Sequence, residues 1–448
     1  MLLPKPESCK GCPLYQDGTG FVPDALNDEA EVFVVAQNPG ANEEAGLKWN
    51  GTLYEPHPQE PLIGKTGHYM DSAFLPVAGL NRSQISVGNA LRCRWRNADD
   101  LPLLRQPLAR KALEHCHSAH FKLPPKTKVI VATGEYAMHA LTQYGLEKFN
   151  SLSDWRGYVL PFEPVGVPRT FRNSIWQPSS GGVAVLATYH LAYLFRDPTA
   201  ILVSKLDWSK IPKLLKGTWP RKLPEIVMAP PEVWPVESAF DTEYNPENRH
   251  FLCYSLYDGK RLHVSEKLEP GVLLDRPTNV IMHNAPADIE FLERMGIKYQ
   301  YEDTMHAHAV LWSDLPHDLG FLGSLYAPIN RWKHLMRINP VTYSAADAYG
   351  TWHVWKALEA ELERDVFSKQ LYHNIQKRLI PIIMRAESRG VRVNPDKARA
   401  AFEKRQVIID ALDLEAQAMV GWPINLRSND QVKQQLFEIE GLLKMVER

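Results

Sequence analysis

Nothing in the 448 residues approaches the ~18 consecutive apolar residues that a membrane span requires. The opening Met1-Leu2-Leu3-Pro4-Lys5-Pro6-Glu7 also lacks the apolar core of a secretory signal. These two absences predict a cytoplasmic protein with no membrane partner. Cysteine is scarce: five residues cannot frame a disulfide scaffold in a chain of this size, so they point to metal binding or core packing. Net charge is almost absent, with 51 Lys and Arg against 52 Asp and Glu. Any contact with nucleic acid must therefore come from local basic patches and not from a global field. What the chain has in plenty is proline, 34 residues, whose placement marks boundaries. A length prior of roughly two to four domains applies.

Cys9-Lys10-Gly11-Cys12 is a tight pair whose thiolates can reach one metal or cluster, and Cys93 and Cys116 follow. Zinc and a [4Fe-4S] cluster would both suit four thiolates, and His115 or His117 could replace one of them for zinc. A buried turn with unrelated core cysteines is the plainer alternative; Cys253 reads as core. Short apolar runs at 31–36, 127–134 and 182–190 alternate with helical stretches at 104–117 and 135–144. The alternation predicts an α/β sandwich with a mostly parallel sheet. Such sheets bind ligands beyond the carboxyl ends of their strands, which brings Gln37, Asn38 and His190 into one neighbourhood.

From Cys9 to about Pro198 the chain resembles family 4 uracil-DNA glycosylases. The motifs are Cys9-x2-Cys12, Ala36-Gln37-Asn38-Pro39-Gly40, Pro61-Leu62-Ile63-Gly64, Gly88-Asn89-Ala90-Leu91-Arg92-Cys93-Arg94 and Thr188-Tyr189-His190-Leu191-Ala192. The resemblance implies a glycosylase-like fold with a [4Fe-4S] cluster on Cys9, Cys12, Cys93 and Cys116. It makes Asn89 the base-reading amide and His190 the imidazole that stabilises a departing base anion. Two positions depart: the family's stacking Phe is Leu62 here, and its motif Glu is Gln37. Asn38-Pro39-Gly40 looks like the NPG of the mismatch-specific uracil glycosylases, so Asn38 could orient a nucleophile. Uracil excision, and a retained fold that only binds DNA or scaffolds its neighbours, both stay open.

Lys205, Lys210, Lys213, Lys216, Arg221 and Lys222 could track a phosphate backbone, although such a run is more often a solvated helix face. Pro212 to Pro235 reads as a stiff linker. Beyond it, Asp241 and Glu243 stand one residue apart on a strand, where i and i+2 share a face and can hold one hard cation. On its own such a pair is usually a solvated face. Asn279 to Asn284 is another strand, followed by a helix around Asp288; Tyr343 and Asp347 stand four apart on a long helix and so face one way. Asp303 before Thr304-Met305 reads as a helix N-cap.

Over about residues 236–365 these pieces resemble the DEDDy 3′-5′ exonucleases, the proofreading domains of family A DNA polymerases in particular. The resemblance implies Asp241, Glu243, Asp288, Tyr343 and Asp347 as catalytic residues, with Asn284 on the substrate. The four carboxylates would hold two Mg²⁺ (or Mn²⁺) ions, and Tyr343 would orient the attacking water. Residues 378–393 and 425–437 resemble the start of a family A polymerase domain, without its palm and fingers.

The expected organisation is a glycosylase-like α/β sandwich with an iron-sulfur cluster over 1–211, a proline-rich linker over 212–235, an RNase H-like α/β exonuclease domain over 236–366, and the helical start of a polymerase thumb over 367–448. Such an order resembles phage-type polymerases; the expected place is the cytoplasm, that of the host if the chain is phage-encoded. The partners implied are single-stranded and primer-template DNA, and, for a split polymerase, a separate polymerase chain or other replisome proteins.

Overall fold

Apolar runs that end in polar residues become the strands of a first sheet: β1 (Val32–Ala36), β2 (Ile85–Asn89), β3 (Val129–Thr133), β4 (Val159–Pro161) and β5 (Ala184–Thr188). This is a computed structural model, and it describes residues 3–95, 107–145, 151–168, 174–177 and 182–439. The first turn expected of the helix at 104–117 and the last residues of 367–448 lie partly outside these, at 104–106 and 440–448. The order is β2-β1-β3-β5-β4, parallel except that β4 runs antiparallel to β5. Every residue of β1, β2, β3 and β5 is buried, as parallel strands covered on both faces require. Helix α1 (Pro107–His120) buries Ala109, Ala112, Leu113 and Cys116, a stripe at helical spacing; α2 (Glu135–Thr142) follows β3.

Residues 212–235, expected as a stiff proline-rich linker, pack against the body instead. Helix α3 (Ala200–Trp208) leads into α4 (Ile211–Leu215), which buries Ile211 and Leu214, and Trp219 and Trp234 are buried further on. Ile226–Val227 is strand β6, at the edge of a second sheet. Proline removes donors and fixes the backbone but does not stop large apolar side chains from packing, and two buried indoles hold the segment down.

The second sheet adds β7 (Glu237–Tyr244), β8 (Phe251–Tyr257), β9 (Leu262–Ser265), β10 (Thr278–Met282) and β11 (Tyr299–Asp303) in the order β6-β9-β8-β7-β10-β11. The meander β7-β8-β9 is antiparallel, whereas β10 and β11 run parallel to β7. Helix α5 (Leu319–Tyr326) and the 25-residue α6 (Pro340–Arg364) pack with it, and α6 buries every residue from Tyr343 to Thr351.

Met1–Ile380 is one compact unit, so the glycosylase-like and exonuclease-like stretches share a body. A shared apolar core that includes Trp155, Tyr158, Leu322 and Trp332 joins them, and polar contacts cross the same seam. Buried Arg156 pairs with buried Asp207 at 2.7 Å and bonds Ser324 Oγ. Asn330 accepts from Val159 N (3.1 Å) and donates to Val159 O (2.9 Å) and Trp176 O (2.9 Å), so its amide completes the edge strand β4. Pro381–Arg448 is a second unit. Its long helix α7 (Pro395–Val420) is capped by Asn394 and ended by left-handed Gly421; it buries no residue and exposes Phe402, Val407, Leu412, Leu414 and Met419. Among the described residues no helix is long and apolar enough to cross a membrane.

Candidate active sites

Strand β7 delivers Asp241 and Glu243 on one face, and the first turns of α6 deliver Tyr343 and Asp347. Ligand oxygens of Asp241, Glu243 and Asp347 all lie within 4.8 Å of one another. Asp241 Oδ2 is buried with no hydrogen-bond partner among the described residues. Three converging carboxylates with an orphaned oxygen fit a hard divalent cation. Asp288 stands outside this group: its Oδ1 accepts from Thr242 N (3.1 Å) and from Thr242 Oγ1. Asn284, whose φ of 64° is left-handed, lies exposed at the start of the turn that leads to Asp288. Buried Asp303 accepts from Met305 N and His306 N as an N-cap, and also from Asn284 N and Ala285 N, so the capping residue holds the Asn284 turn as well.

Burial and then the neighbouring Asp347, Asp288 and Glu243 push the Asp241 carboxyl far above the ordinary range. Burial and Asp347 push Glu243 up to about 7, and burial pushes Asp288 up to about 7 against the hydrogen bonds from Thr242. One cation sits among them. Lys333 Nζ donates to Asp347 Oδ1 at 2.7 Å and to the Tyr343 hydroxyl at 3.1 Å. The indole N–H of Trp332 donates to the same Oδ1. Gly323 and Gly350 leave room for that indole, since a Cβ at either would come within 2.5 and 3.0 Å of its ring. Trp332 and Lys333 open a short 3-10 turn, Lys333–Leu335, with no motif and no periodicity. No signal in the sequence marks them.

At the other sheet, Gln37 and Asn38 follow β1, Asn89 ends β2 beside Ala36, and His190 follows β5. The strand order sets Asn89 and His190 three strands apart, roughly 14 Å at ordinary strand spacing. Asn89 is buried, and neither its Oδ1 nor its Nδ2 has a partner among the described residues. Burial, with Arg196 nearby, pulls His190 down to about 4, so the ring is neutral. Its Nδ1 accepts from Ala192 N (3.2 Å), which leaves the proton on Nε2. Leu62 has a left-handed φ of 55° and packs into the sheet core with Val34 and Ala36. Buried Glu43 ties that loop down, accepting from Leu62 N and Gly40 N at 2.8 Å each.

Cys9, Cys12, Cys93 and Cys116 line one cavity, together with Lys5 and His120. None is in a disulfide. Burial and then Cys116 push the Cys93 thiol up to about 12, so release of its proton there calls for added positive charge. Buried Arg92 lines the same cavity, pairs with Asp24 and approaches Cys116 Sγ at 3.9 Å. His115 Nε2 bonds Ser8 O and His117 stacks on Phe121, while His120 Nε2 lies 3.1 Å from Cys9 Sγ.

Residues 23–216 match the uracil DNA glycosylase superfamily. Type-4 uracil-DNA glycosylases are among the relatives. That of Sulfurisphaera tokodaii is 24% identical over 46% of this chain and 80% of its own length. The Archaeoglobus fulgidus protein is 26% identical over 46% and 88%, and that of Saccharolobus solfataricus 22% identical over 47% and 82%. The front part of the chain is thus type-4-glycosylase-like. Among solved structures, Brucella melitensis NrnC with bound Mg2+ aligns with 34% of this chain and 86% of its own at 20% identity, with a TM-score of 0.29.

Proposed function

We propose that the chain is the 3′-5′ proofreading exonuclease portion of a family A DNA polymerase, carrying a glycosylase-like DNA-binding part in front. The observation that carries the exonuclease is the group Asp241, Glu243 and Asp347, with ligand oxygens within 4.8 Å and Tyr343 one turn before Asp347. Bound there, divalent ions would polarise a water and offset charge on the leaving 3′ oxygen. Asp241, Glu243 and Asp347 would hold them, with Asp288 beside the group. Tyr343 orients the attacking water, and Asn284 on the exposed turn contacts the terminal nucleotides. Attack at the terminal phosphorus breaks its bond to the 3′ oxygen and releases a nucleoside 5′-monophosphate. In the second unit, the apolar residues that α7 exposes are what a polymerase domain or separate polymerase chain would cover. The test is Asp241→Ala with Glu243→Ala: Mg²⁺-dependent digestion of single-stranded DNA disappears, and its survival would sink the assignment.

Uracil excision by the front part is a second reading, favoured by the partnerless Asn89 amide and the Nε2 proton of neutral His190. These groups could read a flipped base and steady its anion, with Gln37 and Asn38 at the same strand ends. Alkali cleavage of a uracil-containing oligonucleotide after incubation tests it. No scission means that the front part binds or scaffolds. The four thiols are assigned to a [4Fe-4S] cluster. What supports it is that all four thiols, none of them in a disulfide, line one cavity of the glycosylase-like part.

A further inference from the structure

Lysine is a donor only, so in its 3.1 Å contact with Lys333 the Tyr343 oxygen must accept. The phenolic proton then points away from the ammonium and is left for another acceptor. Donated in a hydrogen bond to the attacking water, that proton fixes one side of the nucleophile. The lysine and the Trp332 indole converge on Oδ1 of Asp347, which leaves Oδ2 for other partners.

We propose that Lys333 is a positioning residue of the exonuclease site, committing Tyr343 to act as a hydrogen-bond donor and Asp347 to one orientation before any ion binds. The proposal rests on the exonuclease assignment. Three carboxylates this close repel one another, and an ammonium at 2.7 Å offsets part of that repulsion where no ion yet does. The lysine is held from outside the site. Asn330, three residues earlier, is fixed to strand β4 of the glycosylase-like part, and Trp332 is wholly buried between them. The front part thereby sets exonuclease geometry whether or not it excises a base. Lys333 itself keeps 24% of its side chain exposed, so its loss opens no core cavity.

The test uses the full chain with Lys333→Met, Lys333→Arg, Tyr343→Phe and the Met/Phe double variant. Release of mononucleotides from single-stranded DNA gives kcat and KM, and calorimetry gives Mn²⁺ binding. Lys333→Met is expected to lower kcat on the order of 100-fold with KM within roughly threefold of wild type, as misplacement of a reacting group does. Lys333→Arg, which keeps charge and donors, recovers at least about a tenth of the wild-type rate. The double variant is no slower than the slower single, because the two residues act as a unit. Mn²⁺ stoichiometry is unchanged. A wild-type kcat in Lys333→Met overturns the proposal, as does a double variant whose losses multiply. Loss of Mn²⁺ binding together with activity reduces Lys333 to a structural role. A folded wild-type protein without Mg²⁺-dependent nuclease activity strikes the exonuclease assignment instead, and the role of Lys333 with it.

Discussion

Asp241→Asn should destroy nuclease activity and, in the absence of divalent ions, make the protein more stable. Two like charges 4.8 Å apart, the outer limit within the group, repel by about 3.5 kcal/mol at an effective dielectric near 20. Lys333, 2.7 Å from Asp347, and relaxation of the side chains cancel part of this, which leaves a net gain of about 2 kcal/mol. Shape is no obstacle, since Asn is isosteric and Asp241 Oδ2 has no partner to lose among the described residues. The pH dependence follows from the raised carboxyls. Glu243 and Asp288, both pushed up to about 7, keep protons in the folded chain that the unfolded chain has released. Wild-type stability therefore falls as pH rises from the ordinary carboxylate range, roughly 4, to about 7. Asp241, raised further by burial and then by Asp347, adds to the same fall and is the group that the substitution removes, so the gain from Asp241→Asn should be larger above that window than near its lower end. Urea unfolding in chelator at both ends of the window measures it, and added Mg²⁺ should stabilise wild type more than the variant. An Asp241→Asn protein that is less stable than wild type above the window without ions would refute the electrostatic account.

Asn330→Ala strands Val159 N, Val159 O and Trp176 O without partners; a loss of about 2–4 kcal/mol in urea unfolding is expected, accompanied by slower nuclease turnover. Arg92→Met leaves Asp24 buried and unpaired beside the thiols, for an expected cost of about 3–5 kcal/mol in the same measurement. Cys93→Ser, purified anaerobically, should lose iron and brown colour relative to wild type; equal iron content in both would remove the cluster assignment. If the front part excises uracil, His190→Ala should remove alkali-labile scission while leaving digestion of single-stranded DNA unchanged.

Much of the architecture was legible because it is written in local periodicity. Apolar runs such as Val32–Ala36 and Val129–Thr133 are too continuous for surface strands, and they form the interior of the first sheet. Asp303 was legible as an N-cap because a cap is decided within three residues. The prolines of 212–235 misled because composition does not register that Trp219 and Trp234 have a core to enter. Four carboxylates were expected around the ions; among the described residues Asp241, Glu243 and Asp347 share a tight group, while one oxygen of Asp288 accepts from Thr242 N and Oγ1. That bond depends on how β7 meets the turn after β10, which no spacing encodes.

The sequence by itself determined the pairs that short chain geometry enforces: Asp241 with Glu243 on one face of a strand, and Tyr343 with Asp347 on one face of a helix. Tertiary structure alone decided that these two pairs meet, that Lys333 stands between Tyr343 and Asp347, and that Asn330 fixes its loop to Val159, 171 residues earlier. Periodicity says which way a side chain points. Which surface it then meets depends on how distant elements pack, and that is a property of the whole core.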